Sequence, residues 1–301
     1  MLRIVLGLIV LGLTAGTSLA QSRWTAELIE KPKLPAEIVP EARKAAPGNF
    51  AHMLTAVAET GDVSAAWYSQ PTNRYAHGVL GDRTEGGALV VQRSNGRKLT
   101  YRLEPYEVFE DIAPRIADLD RDGRSEVVTI LSSLAEGASI AIFEISGDTL
   151  RKVVSTPFIG RPNRWLNIAA IAPFARGGGQ QIAFVATPHI GGKLGFLGYL
   201  NGRLTMLGAA QGYSNHVIGS TELRLAAAAD TDGDGVAELA LPSNDRKSLI
   251  IAALTQSGVR NIASVSLPSP IDKAIATSGS GQTTTFTVGL ENGKVYTIAR
   301  K

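Results

Sequence analysis

Two nine-residue acidic segments carry the clearest chemistry in this chain. They are Asp118-Leu-Asp120-Arg-Asp122-Gly123-Arg-Ser-Glu126 and Asp230-Thr-Asp232-Gly-Asp234-Gly235-Val-Ala-Glu238. Each offers carboxylates at positions one, three and five, a Gly that permits a sharp turn, and an acid at position nine. Alternating hard oxygen donors around a tight turn form a cage for Ca²⁺, with Mg²⁺ disfavoured by its strict octahedron and its retained waters. The main-chain oxygens of Arg124 and Val236 at position seven are expected to join Asp118, Asp120, Asp122 and Glu126, and Asp230, Asp232, Asp234 and Glu238. Two structural Ca²⁺ sites are therefore expected. Without a cation, four carboxylates would crowd one loop and repel each other. An EF-hand is excluded, because it needs flanking helices and an acid at position twelve, where this chain has Thr129 and Leu241.

Enzyme signatures are scarce. There is no Gly-x-Ser-x-Gly elbow and no His-Glu-x-x-His pair, so neither a serine hydrolase elbow nor a zinc protease helix is present.

The elements that must hold these loops are strand-like. Apolar runs rich in Val, Ile, Thr and Ala alternate with Gly-containing turns, among them Asn95-Gly96, Asn201-Gly202 and Asn292-Gly293. Asn-Gly between apolar runs predicts a hairpin. Similar units recur at roughly fifty-residue spacing, a blade-sized period. Their cores are expected near 76–103, 115–155, 167–209, 222–265 and 272–299. Such units bury their faces only by stacking, and radial stacking of four-stranded antiparallel blades gives an all-β propeller. Five blades are expected; six or seven, a β-sandwich and an open solenoid are the alternatives. The last unit has only three strands before the chain ends. A strand from Trp24–Ile29 or Val63–Tyr68 is expected to complete it.

Residues 1–20 read as a secretory signal peptide, with Arg3, an apolar run from Ile4 to Leu13, and Ser18-Leu19-Ala20 before the cut. Residues 21–70 read as an N-terminal extension broken by Pro32, Pro35, Pro40 and Pro47, and 71–301 as the propeller. The chain has no Cys, so disulfides are excluded, and a periplasmic or secreted location is expected. A net charge of +3 without a basic stripe argues against nucleic acid. No stretch after residue 20 is apolar enough to span a membrane.

The segments Ile116–Val128 and Ala228–Leu239, each a strand followed by an acidic Asp-Gly loop and a second strand, resemble the FG-GAP/VCBS repeat of integrin-type and exported bacterial propellers. The resemblance covers roughly residues 75–300, and the other units have lost the acids. It implies the propeller and its metal loops and implies no activity, because function lies in sites grafted on the fold.

In such a blade the acidic loop joins the first and second strands. The loops joining the second and third strands, and those between blades, lie at the opposite end. There the sequence puts His77, Arg161, Asn163, Arg164, Trp165, His189, Asn215, His216 and Arg246. These are the candidate ligand-binding residues, suited to a carboxylate, a phosphate or a sugar. Three of the histidines would hold a transition metal if their ring nitrogens converged. The expected function is a calcium-binding module that recognises a protein or an envelope glycan. The alternative is a hydrolase or lyase acting on a polysaccharide or phosphoester from the His/Arg-rich end.

Overall fold

A computed structural model describes residues 23–30, 44–48 and 52–301. The expected signal peptide lies outside the described residues, as does most of the proline-broken segment. Among the described residues there is no α-helix, only a 3₁₀ turn at Gly281–Thr283, and no helix is long and apolar enough to cross a membrane.

The fold is all-β and every strand pairing is antiparallel. Among the described residues the first strands are β1 (Trp24–Leu28) and β2 (Lys44–Ala45). A first unit comprises β3 (Leu54–Val57), β4 (Val63–Thr72), β5 (Glu85–Arg93) and β6 (Lys98–Arg102). The short β7 (Glu107–Phe109) bridges it to a second unit of β8 (Arg115–Ala117), β9 (Glu126–Ser133), β10 (Gly137–Ser146) and β11 (Thr149–Ser155). Two separate four-stranded sheets follow. One contains β12 (Leu166–Ala172), β13 (Gln181–Ala186), β14 (Lys193–Leu200) and β15 (Arg203–Gln211). The other contains β16 (Ala227–Ala229), β17 (Glu238–Pro242), β18 (Ser248–Thr255) and β19 (Gly258–Ser266). The last sheet runs β20 (Ala276–Ser278), β21 (Thr285–Gly289), β22 (Val295–Arg300) and then β1. The sheets do not join into one closed hydrogen-bonded sheet.

The strand completing the last sheet is Trp24–Leu28, which pairs with β22 from Trp24↔Arg300 to Leu28↔Tyr296. The other segment considered, Val63–Tyr68, lies inside β4. It follows that β4 runs through the expected domain boundary at residue 70 and that the first unit begins at Leu54. The run Ala76–Leu80, which opens the first expected unit at 76–103, is a loop. Its apolar Val79 and Leu80 are buried against Trp165 and Ile168 instead of pairing. Of the three Asn-Gly hairpins, only Asn201-Gly202 has φ positive at both residues (49° and 72°). At Asn95-Gly96 and Asn292-Gly293 only the Gly is left-handed, which fits a type I turn closed by a Gly bulge.

The central strands explain the stacking. Every residue of β9 is buried. Val127 and Leu131 face Trp67, Val91 and Phe143, whereas Val128 and Ile130 face Ile168, Ile182 and Phe184. The same division recurs at the next interface, where Val185 and Phe196 meet Leu239 and Leu241, and at the next, where Leu249 and Ile251 meet Phe286, Val288 and Trp24. Residues of β3, β8 and β12 and the segment before β16 line one central cavity of about 780 Å³, with Ala56, Ala117, Ala169, Ala170 and Ala226 among its small wall residues.

Trp24 packs 5.8 Å from the Phe286 ring, and the Arg300 guanidinium lies 5.1 Å from the indole centroid. Trp24→Ala removes a buried aromatic. It should lower the unfolding free energy by about 3 kcal/mol, measured by denaturant titration of the whole chain; a loss below about 1 kcal/mol would show that β1 is dispensable.

Candidate functional site

The two acidic segments fold as expected into loops joining first and second strands, β8 to β9 and β16 to β17. In each, the ligand oxygens of the three aspartates lie within 4.8 Å of one another. In the first loop Asp118 Oδ2 accepts Gly123 N at 3.1 Å, and Asp122 Oδ1 accepts Arg124 N at 2.8 Å. Asp118 Oδ1 and Asp120 Oδ1 are buried and accept no hydrogen bond. Buried unpaired carboxylate oxygens are costly, so this donor set fits a hard cation. The second loop is more satisfied by its own backbone. Asp230 Oδ1 accepts Gly233 N at 2.7 Å and Oδ2 accepts Gly235 N at 2.8 Å, while Asp234 takes Val236 N at 2.8 Å and the Arg176 guanidinium at 2.6 Å. The peptide donors hold the Asp230 carboxyl below its ordinary value, against a burial effect in the opposite direction.

The position-nine acids are held differently from the aspartates. Glu126 Oε2 accepts Leu119 N at 2.7 Å, and Glu238 Oε2 accepts both Thr231 N at 2.8 Å and Thr231 Oγ1 at 2.6 Å. Each buried glutamate thus fixes the entry of its loop, and burial raises both carboxyls, Glu126 to about 8.

A different cluster lies among the loops that join second to third strands and one unit to the next. Residues 73–84 link β4 to β5 within the first unit, so His77 lies in a loop joining second to third strands rather than between units. This loop reaches residues 160–165 and 217–220: Tyr75 Oη accepts Asn163 N at 2.9 Å, and Val79 O accepts Gly219 N at 2.9 Å. Trp165 is the hub. Its Nε1 donates to Glu110 O at 2.9 Å, and its ring lies 6.3 Å from His189, in parallel, and 4.6 Å from His216. His216 Nε2 donates to Ser220 O at 2.9 Å, which leaves Nδ1 to accept from His189 Nε2, also at 2.9 Å. His77 Nδ1 pairs with Glu110 Oε1 at 2.6 Å, and Tyr75 meets the His77 ring edge-on at 5.8 Å.

The candidate residues therefore divide by access. Trp165, Asn215 and His216 are almost wholly buried, so they support the end of the molecule without facing a ligand. Asn215 and Asn167 exchange side-chain Nδ2 donors with each other's main-chain oxygens at 3.2 Å. Arg246 ties its own loop to Ile271 O and Glu291, each at 2.7 Å. His77 and His189 are half-buried, Arg164 is half-buried, and Arg161 and Asn163 are exposed. Among the described residues, neither Arg161 nor Arg164 meets a carboxylate. Among the described residues, His77, His189 and His216 do not bring three ligand nitrogens within 4.8 Å of one another.

Several acids here went unnoticed in the sequence. Glu107, Glu110 and Asp111 on and after β7, and Glu85 at the start of β5, are all buried. Asp111 holds Arg115 and accepts Tyr68 Oη at 2.9 Å, although burial still raises its carboxyl. Glu85 Oε2 has no partner. Burial, then Glu110, Asp82 and Asp111, push this carboxyl up to about 9. The available signal was the run Glu107-Val-Phe-Glu-Asp111, in which acids interrupt apolar residues at a unit junction.

No protein-family model matches the chain, and neither does any curated protein. Solved structures do resemble it. Rhamnogalacturonan lyase YesW aligns with a TM-score of 0.51 and 15% identity over 91% of this chain. The exotype rhamnogalacturonan lyase YesX aligns with a TM-score of 0.44 and 13% identity over 88%. The chain spans only 52% and 57% of the length of these two enzymes. At such identity the likeness to YesW concerns the fold alone.

Burial lowers both His189 and His216 to about 4; His216, His77 and Arg246 lower His189 further, and at His216 the Ser220 hydrogen bond and Glu222 oppose burial and Arg246. The unfolded chain, with histidines near 6.5, then binds protons that the folded chain refuses. Stability from this pair is intact above about pH 6.5 and is lost as pH falls towards 4. Thermal melts of His189→Gln should show a shallower acid limb over that window than the wild type; equal slopes would mean that the pair titrates normally when folded.

Proposed function

We propose that this chain is an exported five-bladed β-propeller related to FG-GAP/VCBS repeat proteins, stabilised by Ca²⁺ in its acidic loops, whose opposite end recognises a cell-envelope or extracellular glycan. The blade reading is supported by three four-stranded sheets and a ten-stranded one that divides into two such units about β7, by a cavity lined by β3, β8, β12 and the segment before β16, and by the pairing of β1 with β22. The metal reading is supported by the buried, unpaired oxygens of Asp118 and Asp120. When bound, Ca²⁺ would be held by Asp118, Asp120 and Asp122, and by Asp230, Asp232 and Asp234, and it would cancel the repulsion among them. The location, periplasmic or secreted, rests on the leader-like first twenty residues.

One observation carries the recognition reading. Arg161 and Arg164 flank Asn163, whose N–H bonds Tyr75 Oη; Arg164 Nη1 donates to Asn163 O at 3.0 Å, and among the described residues neither guanidinium has a carboxylate partner. Guanidinium groups left available on a fixed scaffold suit an anionic ligand, which narrows the partner to an acidic glycan. A second reading, a lyase acting on such a polysaccharide, draws on the likeness in fold to YesW and on the half-buried His77 of the same cluster.

Chelating Ca²⁺ should lower the melting temperature by roughly 5 °C relative to a hundredfold excess over Kd, and Asp120→Asn should shrink this difference. An unchanged melting temperature on chelation would sink the structural metal. Titration of the purified chain with polygalacturonate and with neutral galactan should give binding to the acidic polymer alone. In Arg161→Ala/Arg164→Ala that binding should weaken about tenfold or more; equal binding by wild type and variant would remove these arginines from the ligand face.

A further inference from the structure

Glu110 is fully buried and heavily held. Its Oε2 accepts Ser132 Oγ at 2.6 Å, its main-chain oxygen accepts Trp165 Nε1 at 2.9 Å, and its Oε1 faces His77 Nδ1 at 2.6 Å. Burial raises the Glu110 carboxyl, against the lowering contacts of His77 and Ser132. A proton on His77 Nδ1 donated to Oε1 satisfies this contact. This leaves the Nε2 lone pair free, with no hydrogen bond from the described residues, on a side chain that keeps 18% of its surface accessible. A buried carboxylate that fixes the tautomer of a half-exposed imidazole is a general-base arrangement.

The neighbours select the substrate class. Asn163 N bonds Tyr75 Oη, and Tyr75 packs edge-on against His77. The segment carrying Arg161 and Arg164 is thereby fixed to the residue that touches the base. A base close to a segment that carries two arginines without carboxylate partners among the described residues suits a proton α to a carboxylate, because neutralising the carboxylate stabilises the charge that develops.

We propose that His77 is the general base of an elimination on uronate-containing polysaccharides, with Glu110 as its positioning residue and Arg161 and Arg164 as the carboxylate's partners. The proposal rests on the acidic-glycan reading above. Nε2 removes the proton on the carbon α to the uronate carboxylate. The C–H electron pair becomes the new C=C bond, and the bond from the β carbon to the glycosidic oxygen breaks. The departing oxygen leaves with that pair and takes its proton from the His77 imidazolium. No water is consumed, and the base is restored.

The test uses the full chain with polygalacturonate and rhamnogalacturonan as probes, following the ultraviolet absorbance of the unsaturated product. His77→Gln should retain polymer binding and lose cleavage by at least about 10²-fold, and Glu110→Gln should lower kcat by about 10²–10⁴-fold with KM nearly unchanged. Because Glu110→Gln alters a buried site, ¹⁵N NMR of the wild type provides a check independent of activity. His77 should carry its proton on Nδ1 in the neutral form, and in Glu110→Gln the tautomers should mix. A chain that binds the polymers without cleaving them overturns the base assignment and leaves glycan recognition standing. A saturated product, or an Nε2–H tautomer in the wild type, also overturns it. Failure to bind either polymer removes the acidic-glycan reading and this proposal together.

Discussion

Burial of both faces of each sheet is the constraint on which this structure depends. Strands β9 and β17 have no exposed residue, so neither sheet could be stable with a bare face. Val127 needs one neighbour and Val128 needs the other. At roughly 25 cal/mol per Å² of apolar surface, stacking supplies the stabilisation that no single sheet can generate. Exposure is pushed outward, so that β15 and β19 consist almost wholly of half-buried and exposed positions. The repeated unit is thus a consequence of packing as much as of sequence similarity, and the units can diverge at their loops while their strands stay apolar.

The two ends of the stacked sheets are then free to take different roles. At one end, the loops between first and second strands bond their neighbours: Ser125 N to Asp62 Oδ1 at 2.9 Å, Gln180 N to Leu119 O at 2.7 Å, and Gly281 N to Asp230 O at 3.1 Å. The acidic loops belong to this chain of contacts, so a cation held there would stiffen the frame. At the other end, Trp165 and Glu110 gather loops from three units around buried polar groups. Such a network is expensive unless fully satisfied. The open Nε2 of His77 and the unpaired oxygens Glu85 Oε2, Asn167 Oδ1 and Asn215 Oδ1 are among the places where it is not satisfied.

Much of this was legible in the sequence, for local reasons. The acidic loops show because their donors lie two residues apart. The strands show because their periodicity and turn residues are short-range. The His and Trp segments were assigned to the correct end because chain direction alternates from strand to strand. Long-range pairings stayed hidden. Glu110 bonds partners 33, 22 and 55 residues away, and nothing near it in sequence announces them. Ala76–Leu80 misled because an apolar run packed beneath a loop has the composition of a strand. His216 and Trp165 looked like ligand residues, since sequence gives residue type without exposure.

The account's central claim is a division of labour, with the frame at the acidic-loop end and recognition at the other. The most direct measurement is hydrogen–deuterium exchange of the whole chain with and without an acidic oligogalacturonate. The account predicts slower exchange at residues 73–84, 156–165 and 187–192, with no change at 118–125 and 230–237. Protection confined to the acidic loops, or to neither end, would contradict it.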